Sequence, residues 1–200
     1  MTATRANIVN SFEAAYDGTP AWEIGRTQKE FTYLESAGEI QGLVLDVGCG
    51  TGENALYLFE RGYDVIGIDI ASAAISKARK KAWKRGLHGL FLVQDALDLQ
   101  NLGLKFDTII DSGLFHVFSD EARKKFVKSL ESVLRIGGMY LMICLSEHEP
   151  PGWGPRRITQ AEIESAFCDG FRINYIRKAW FETNLEQCEV HAWLASITKL

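Results

Sequence analysis

Three aspartates at the ends of short apolar segments carry the first sign of chemistry in this chain. Asp69, Asp95 and Asp111 each stand where such a segment finishes. A carboxylate in the position of Asp69 can accept two charge-assisted hydrogen bonds from the neighbouring hydroxyl groups of a ribose. Because the carboxyl ends of parallel strands meet at one edge of a sheet, we expect these side chains to surround a common ligand.

A glycine-rich turn precedes these aspartates. The apolar run 43–47 is typical of a strand buried on both faces, and alternate glycines occupy 48–52 before a helical pattern begins at Glu53. A strand, a glycine turn and a helix N-terminus together bring backbone N–H groups against a ligand. The spacing G-x-G-x-G departs from the dinucleotide fingerprint G-x-G-x-x-G, because Glu53 stands where its third glycine belongs. Asp46 adds a carboxylate two positions before the first glycine.

Alternating strands and helices must hold these residues in place. Apolar runs and helical spacing predict a strand–helix alternation that closes with a hairpin of strands 171–177 and 190–198. A capping box at Thr159–Glu162 begins the helix before this hairpin, and Gly137-Gly138 are expected to end the helix before the fifth strand. The other predicted helices are 7–16, 27–38, 53–61, 71–85 and 120–134, and the other predicted strands are 43–47, 64–69, 90–94, 106–111 and 139–145.

In order and spacing, the glycine loop, Asp69 and the pair Asp95-Ala96 resemble the motifs of class I S-adenosylmethionine (SAM) methyltransferases. Phe106-Asp107 is also typical of how their fourth strand opens, so the resemblance covers about residues 43–145. It implies an α/β, Rossmann-like fold with a seven-stranded, mostly parallel sheet of order 3-2-1-4-5-7-6, the last strand antiparallel, and helices on both faces. It also implies SAM as cofactor and S-adenosylhomocysteine (SAH) as product.

The resemblance assigns a role to each motif. The glycine loop approaches the methionine end of SAM, Asp69 takes the ribose, Asp95 and Ala96 hold the adenine, and Asp111 lies beside the transferred methyl group. Plainer alternatives exist, since Asp69 could cap a helix, Asp95 could be a polar strand end and Cys49 could simply suit a tight turn. The expected cofactor-binding residues are Trp22, Asp46, Gly48, Cys49, Gly50, Asp69, Ile70, Asp95, Ala96, Asp111 and Ser112.

The segment Pro20–Gln28 resembles Pro-Trp-Asp-x-Gly-x-x-Gln of the thiopurine, thiol and halide methyltransferase branch, with Ala21 inserted and Glu23 in place of the aspartate. This resemblance implies that residues 1–40 form a helical arm and lid over SAM within a single domain of residues 1–200. Trp22 would then cover the cofactor, and the alternative is a core aromatic. The branch favours a soft acceptor such as a thiol, a halide or a metalloid.

Two candidates could act on the acceptor itself. His116 is a candidate general base because imidazole titrates near neutral pH, and Asp111 is the second candidate; His116 could equally be a packed side chain. Three of the four prolines of the chain fall in the loop after the fifth strand, together with Arg156 and Arg157. These arginines could bind an anionic or electron-rich substrate, or be surface charge.

Composition narrows the function classes. The length of 200 residues and the 46% of hydrophobic residues suit one globular α/β domain. The formal charge of −4 argues against a nucleic-acid substrate. The lysines of 77–84 are expected on a solvated helix face. Four scattered cysteines indicate neither a metal site nor disulfides, and no apolar run approaches a membrane span or a signal core. We expect a cytoplasmic monomer or weak dimer that acts on a small molecule, without nucleic-acid or membrane partners.

Rival functions remain open at this point. A nucleotide-linked oxidoreductase is disfavoured by Glu53 and by Asp95-Ala96. A macromolecule methyltransferase of the adenine or glutamine type would carry Asn-Pro-Pro-Tyr where this chain has Asp111–Leu114. An O- or N-methyltransferase of a small metabolite and a non-catalytic SAM-binding protein are the remaining alternatives.

Overall fold

A computed structural model describes residues 5–186 and 189–200, so the first four residues of the predicted arm and Cys188 lie outside the described residues. Two short 3-10 segments, Ala96–Leu102 and Phe115–Val117, follow the third and fourth strands. The helices are α1 (Arg5–Ala15), α2 (Lys29–Ser36), α3 (Glu53–Glu60), α4 (Ser72–Lys84), α5 (Asp120–Val133) and α6 (Gln160–Ala166). The strands are β1 (Val44–Val47), β2 (Val65–Asp69), β3 (Leu90–Val93), β4 (Phe106–Ser112), β5 (Leu134–Leu145), β6 (Phe171–Glu182) and β7 (Glu189–Lys199).

The seven strands form one sheet of order β3-β2-β1-β4-β5-β7-β6, which confirms the fold class. Strands β1 to β5 are parallel, and β7 pairs antiparallel with both β5 and β6. The chain moves outward from β1 to β3 and then returns to place β4 on the other side of β1. A crevice forms at such a reversal, outside the carboxyl ends of the strands, and the predicted site residues lie there.

Apolar side chains cover both faces of the sheet. Along β1, Leu45 and Val47 point into one cluster, which contains side chains of α5 and α6, whereas Val44 points into a second cluster with side chains of α2, α3 and α4. Burial on both faces explains why β1 reads as a continuous apolar run rather than an alternating one. The two layers of helices hold the strand ends rigidly around the crevice.

The prediction that Gly137-Gly138 end a helix is wrong, because both glycines lie inside β5. Helix α5 ends at Val133 and β5 begins at the next residue. A Cβ at Gly138 would stand 2.9 Å from the carbonyl oxygen of Arg135 and 3.1 Å from that of Asp107. Glycine is therefore required for the close approach of backbones at the irregular start of the β4–β5 pairing.

The closing hairpin is longer than its sequence pattern indicated. Strand β6 continues to Glu182, five residues past its predicted end, and its last residues pair with β7 from Lys178↔Trp193 to Glu182↔Glu189. The extension carries Phe181 and Glu182 to the edge of the sheet where the glycine loop lies. Both side chains are almost completely buried there.

Candidate active site

The glycine loop between β1 and α3 is packed between a carboxylate and an aromatic side chain. Gly50 has φ +54, a left-handed conformation that glycine adopts readily, and its N–H donates to Asp69 Oδ2 at 2.9 Å. A Cβ at Gly50 would stand 2.9 Å from the Tyr16 hydroxyl oxygen. Cys49 is buried, and burial raises the pKa of its thiol well above the usual value. These properties agree with the plainer alternative for Cys49, a small side chain that suits a tight turn.

Asp69 connects the loop to the end of β2. Its Oδ1 accepts the N–H of Ala71 at 2.8 Å, in addition to the Oδ2 bond from Gly50. Burial raises the pKa of Asp69, although these N–H donors oppose the shift. The alternative that Asp69 caps a helix is wrong, because the N-cap of α4 is Ala71. The first N–H groups of α4, those of Ser72 and Ala73, donate to the carboxylate of Glu13 in α1.

Two further carboxylates, Asp46 of β1 and Asp111 of β4, lie beneath the crevice. Asp46 is fully buried; its Oδ2 accepts from Ala55 N–H, and its Oδ1 has no partner among the described residues. Burial raises the pKa of Asp46 to about 8, with smaller contributions from the negative charges of Asp111 and Asp69. At neutral pH Asp46 is therefore mostly protonated and adds little negative charge beneath the crevice.

Asp111 supports the loop after β4. Its carboxylate accepts hydrogen bonds from the N–H groups of Leu114 and Phe115 and from the Tyr140 hydroxyl at 2.6 Å. It is completely buried, which raises its pKa to about 7 against the effect of these donors. The geometry favours a structural role for Asp111, while the adjacent Ser112 faces the crevice.

Asp95 and Ala96 follow β3. Asp95 Oδ1 accepts the N–H of Leu97 at 2.8 Å and so begins the 3-10 segment that follows. Ala96, which is 8% exposed, forms part of the crevice wall. The carboxylate thus orients the turn that brings Ala96 to the site.

His116 is held by the backbone of β5. Its Nδ1 accepts the N–H of Leu145 at 3.0 Å, so the neutral ring carries its proton on Nε2. Burial, and to a smaller extent the charge of Arg157, lower the pKa of His116 to about 3. At neutral pH the ring is therefore uncharged and has no free lone pair with which to take a proton.

The crevice contains a cavity of about 490 Å³ whose two ends are lined by different kinds of residue. One end is lined by Asp69, Ile70 and Ala96 below the arm, and the other by aromatic and aliphatic side chains. A narrow cleft of about 50 Å³ continues along the glycine loop and shares Trp22, Gly48 and Ser112 with the cavity. The second end of the cavity is lined by His116, Val117, Leu145, Trp153, Gly154, Pro155, Phe181 and Thr183.

The predicted residues divide into two groups. The carboxylates Asp46, Asp95 and Asp111 are not among the residues that line either space; they hold the backbone around it. The residues that line the cavity or the cleft are Trp22, Gly48, Cys49, Gly50, Asp69, Ile70, Ala96, Ser112 and His116.

Residues 44–138 match the family model of a methyltransferase domain. The chain is 33% identical over 189 residues to 2-heptyl-1-hydroxyquinolin-4(1H)-one methyltransferase of Mycobacteroides abscessus, covering 89% of this chain and 83% of that protein. The chain belongs to the methyltransferase family.

Two other proteins are informative about this methyltransferase. It is 26% identical over 162 residues to a probable thiol methyltransferase 2 of Arabidopsis thaliana, covering 79% of this chain and 71% of that one. A solved structure from a study of the conversion of a disulfide bond into a thioacetal group during echinomycin biosynthesis superimposes with a TM-score of 0.88. That structure has 35% identity, over 96% of this chain and 92% of the other. Solved methyltransferases of the same fold carry bound SAM or SAH, and SAM is the cofactor.

The site of the methyltransferase fits this cofactor. SAM carries two cationic groups, a sulfonium and an ammonium. Asp69 lines the cavity, and the buried acids Asp46 and Asp111 lie behind its wall. The apolar wall at Ile70 and Ala96 suits a purine, and the narrow cleft runs along the glycine loop.

The N-terminal arm of the methyltransferase closes one side of the cavity through three aromatic rings. Trp22 contacts Phe12 and Tyr16 edge to face, and its Nε1 donates to the Tyr16 hydroxyl at 3.1 Å. Because Trp22 is 41% exposed, the core-aromatic alternative is wrong. Lys77 of α4 donates to the carbonyl oxygens of Tyr16 and Gly18 and so fixes the bend after α1.

The segment Pro20–Gln28 is anchored at its far end by the extension of β6. Gln28 exchanges two side-chain hydrogen bonds with the backbone of Glu182, at 2.9 Å each, and Arg26 pairs with the Glu182 carboxylate. Lys81 of α4 contacts Glu23, Thr51 and Glu53 at once. Lys77 is exposed, as predicted, although it also binds the arm. The prediction of a solvated face is wrong for Lys81, which is partly buried between the arm and the glycine loop.

Several residues of the site escaped the sequence reasoning. Tyr16, Phe181 and Thr183 line the cavity, yet none belongs to a recognised motif. Tyr16 is the last residue of the predicted helix 7–16, and Phe181 and Thr183 fall after the predicted end of the strand 171–177. Among the described residues, no group of three or more His, Cys, Asp or Glu could hold a metal ion. In the same ranges, no helix is both long and apolar enough to cross a membrane.

Proposed function

We propose that this methyltransferase acts on an apolar small molecule whose nucleophilic atom is already ionised at neutral pH, a thiolate in the first place. The observation that carries this proposal is the absence of a proton acceptor among the side chains described at the acceptor end of the cavity. There His116 is neutral with its Nδ1 lone pair occupied, and Asp111 is buried behind the wall.

The cofactor sites are part of the proposal. Asp69 and Ile70 would hold the ribose, Ala96 the adenine, and the cleft along Gly48–Gly50 the methionine end. The methyl group, which SAM supplies in activated form, would then lie near Ser112, between the cleft and the aromatic end of the cavity. In this arrangement the protein aligns the two reactants and excludes water.

The lining of the acceptor end favours thiols over halides and metalloid anions. Leu145, Trp153 and Phe181 offer apolar surface there. A small anion would lose its hydration and gain few polar partners, whereas an aryl or alkyl thiolate also buries its apolar body against these side chains. A thiolate is also strongly nucleophilic without base catalysis.

A second candidate for the methyl acceptor is an acidic hydroxyl group on a heteroaromatic ring. The relative that is 33% identical is named for methylation of a 1-hydroxyquinolinone, and the solved structure at 35% identity comes from work on sulfur chemistry. His116 supports both, because its Nε2–H can donate to an anionic oxygen or sulfur that needs no deprotonation.

The proposal is tested by measuring SAH release over a panel of acceptors. An aryl thiol, an alkyl thiol, a 1-hydroxyquinolinone, iodide and a catechol should be compared at one pH with SAM saturating. Thiols are expected to be turned over fastest, the hydroxyquinolinone next, and iodide and catechol poorly. Turnover confined to neutral alcohols, amines or catechols would overturn the proposal.

Replacing His116 with asparagine separates the two functions of this side chain. The asparagine Oδ1 can still accept the N–H of Leu145, but the Nε2–H group is lost. We expect kcat for an aryl thiol to fall by no more than about a hundredfold, because one hydrogen bond to an anion is worth ~1.5–3 kcal/mol. His116→Ala serves as the comparison that also leaves the Leu145 N–H unpaired. A loss of thiol turnover in His116→Asn by several hundredfold would show that the histidine is a base.

The arm should become better protected when the cofactor binds. Trp22 lies between the solvent and both spaces, while Gln28 is already fixed to β6. Amide hydrogen exchange of residues 16–24 is therefore expected to slow when SAH is added, with little change at 28–36. Equal exchange of 16–24 with and without SAH would show that the arm is not a lid.

A further inference from the structure

The loop between β5 and α6, residues 146–158, is organised by one guanidinium group. Arg157 Nη1 donates to the carbonyl oxygens of Trp153 and Pro155 at 2.5 and 2.6 Å, Nη2 donates to that of Pro150, and Nε donates to that of Glu149 at 3.3 Å. The same group lies over the Trp153 ring, 5.1 Å from its centroid. Arg157 therefore ties together four points along the loop.

Only arginine can make this set of contacts. A guanidinium presents five N–H donors in one plane, whereas a lysine presents three donors at a single point. The loop needs such a partner because Pro150, Pro151 and Pro155 have no N–H to pair with backbone carbonyls. The neighbouring Arg156 differs, since it pairs with Asp120 and Glu162 at the helix ends.

The part of the loop that Arg157 folds is also the part that lines the cavity. Trp153, Gly154 and Pro155 line the acceptor end together with Phe181 and Leu145. Trp153 also packs against the apolar cluster that contains Phe181. The charge of Arg157 contributes, after burial, to the lowered pKa of His116, which places the cation near this end of the cavity.

We propose that Arg157 is a positioning residue for the methyl acceptor, and that the acceptor is a planar aromatic anion that packs against Trp153. Arg157 folds the loop so that the indole becomes one wall of the acceptor site, and its charge favours an anion there. The proposal rests on the proposed function for the reaction but specifies the acceptor further. Trp153 determines specificity by selecting flat rings over small aliphatic thiols.

Steady-state kinetics with an aryl thiol and a small alkyl thiol tests the proposal. Trp153→Ala is expected to raise KM for the aryl thiol by about tenfold, equivalent to ~1.4 kcal/mol, with a much smaller change for the alkyl thiol. Arg157→Lys should act in the same direction, and Trp153→Phe should restore most of the aryl preference. Arg156→Lys is the matched control and should match wild type, and SAH affinity should stay within about twofold in every variant.

A binding measurement distinguishes this inference from the proposed function. Full-length protein loaded with SAH is titrated with 2-naphthoate, a planar aromatic anion that undergoes no reaction with SAH, by saturation-transfer NMR. Binding that weakens in Trp153→Ala and Arg157→Lys but not in Arg156→Lys supports the inference, even where no thiol is turned over. Equal KM changes for aryl and alkyl thiols would overturn the inference. So would a probe affinity that is unchanged in both Trp153→Ala and Arg157→Lys.

Discussion

Replacing Gly50 with valine is expected to abolish measurable SAM binding while the chain remains folded. Gly50 has φ +54, where a β-branched residue is a rare outlier, and its Cβ would stand 2.9 Å from the Tyr16 hydroxyl oxygen. The variant therefore pushes the arm away and moves the N–H that Asp69 accepts. Calorimetric titration with SAM should show an affinity loss of about a hundredfold or more, the effect of ~3 kcal/mol.

A matched control for this prediction is Gly103→Val. Gly103 has φ +65, but a Cβ at this position would have nothing within 4 Å of it. Both variants carry similar backbone strain, so only the contact with the site differs. SAM binding should be retained in Gly103→Val. A folded Gly50→Val protein that binds SAM as wild type does would show that the loop has no role in cofactor binding.

Replacing Asp69 with alanine is expected to weaken SAM binding by about a hundredfold or more. Two charge-assisted bonds to the ribose, worth ~1.5–3 kcal/mol each, would be lost. The glycine loop would also lose the bond from Gly50 N–H to Oδ2. Because the carboxylate already accepts from Gly50 and Ala71, it is held in place before the ribose arrives, and each oxygen keeps a further lone pair for a hydroxyl group.

Asp107→Ala is the control for loss of a backbone-bonded carboxylate. Asp107 accepts the N–H of Leu43 and pairs with Arg135 at the opposite end of the strands. Its loss should lower the free energy of unfolding without changing SAM affinity. The ribose assignment would be untenable if Asp69→Ala bound SAM within threefold of wild type, or if both variants weakened SAM equally.

Local sequence patterns were sufficient to predict the alternation of strands and helices and the glycine loop, whereas the sheet order was implied by the resemblance to SAM methyltransferases. The apolar runs, the alternate glycines and the aspartates at strand ends are signals that lie within a few residues of each other. The role of Asp111 was harder to predict, because the partners of its carboxylate include Tyr140, a residue from a different strand. A carboxylate at a strand end can face the ligand or hold the next loop. Which of the two it does depends on the side chains that pack around it from other parts of the chain.

The rest of the site depends on contacts between distant segments. Gln28 and Glu182 are joined by two hydrogen bonds, yet 154 positions separate them. The end of β6 reads as irregular because its residues pack against the arm rather than against a uniform sheet face. Likewise Arg157 resembles surface charge in the sequence, although its four backbone carbonyl partners give it a structural function.

The central claim, methyl transfer without a protein base, is tested most directly by the pH dependence of kcat/KM for SAH release with two thiols of different pKa. Because His116 stays neutral above a pKa of about 3, the rate should rise with pH until each thiol is ionised and then level off. The midpoint should move with the pKa of the thiol. A common midpoint for both thiols would place the essential ionisation on the protein and contradict the account.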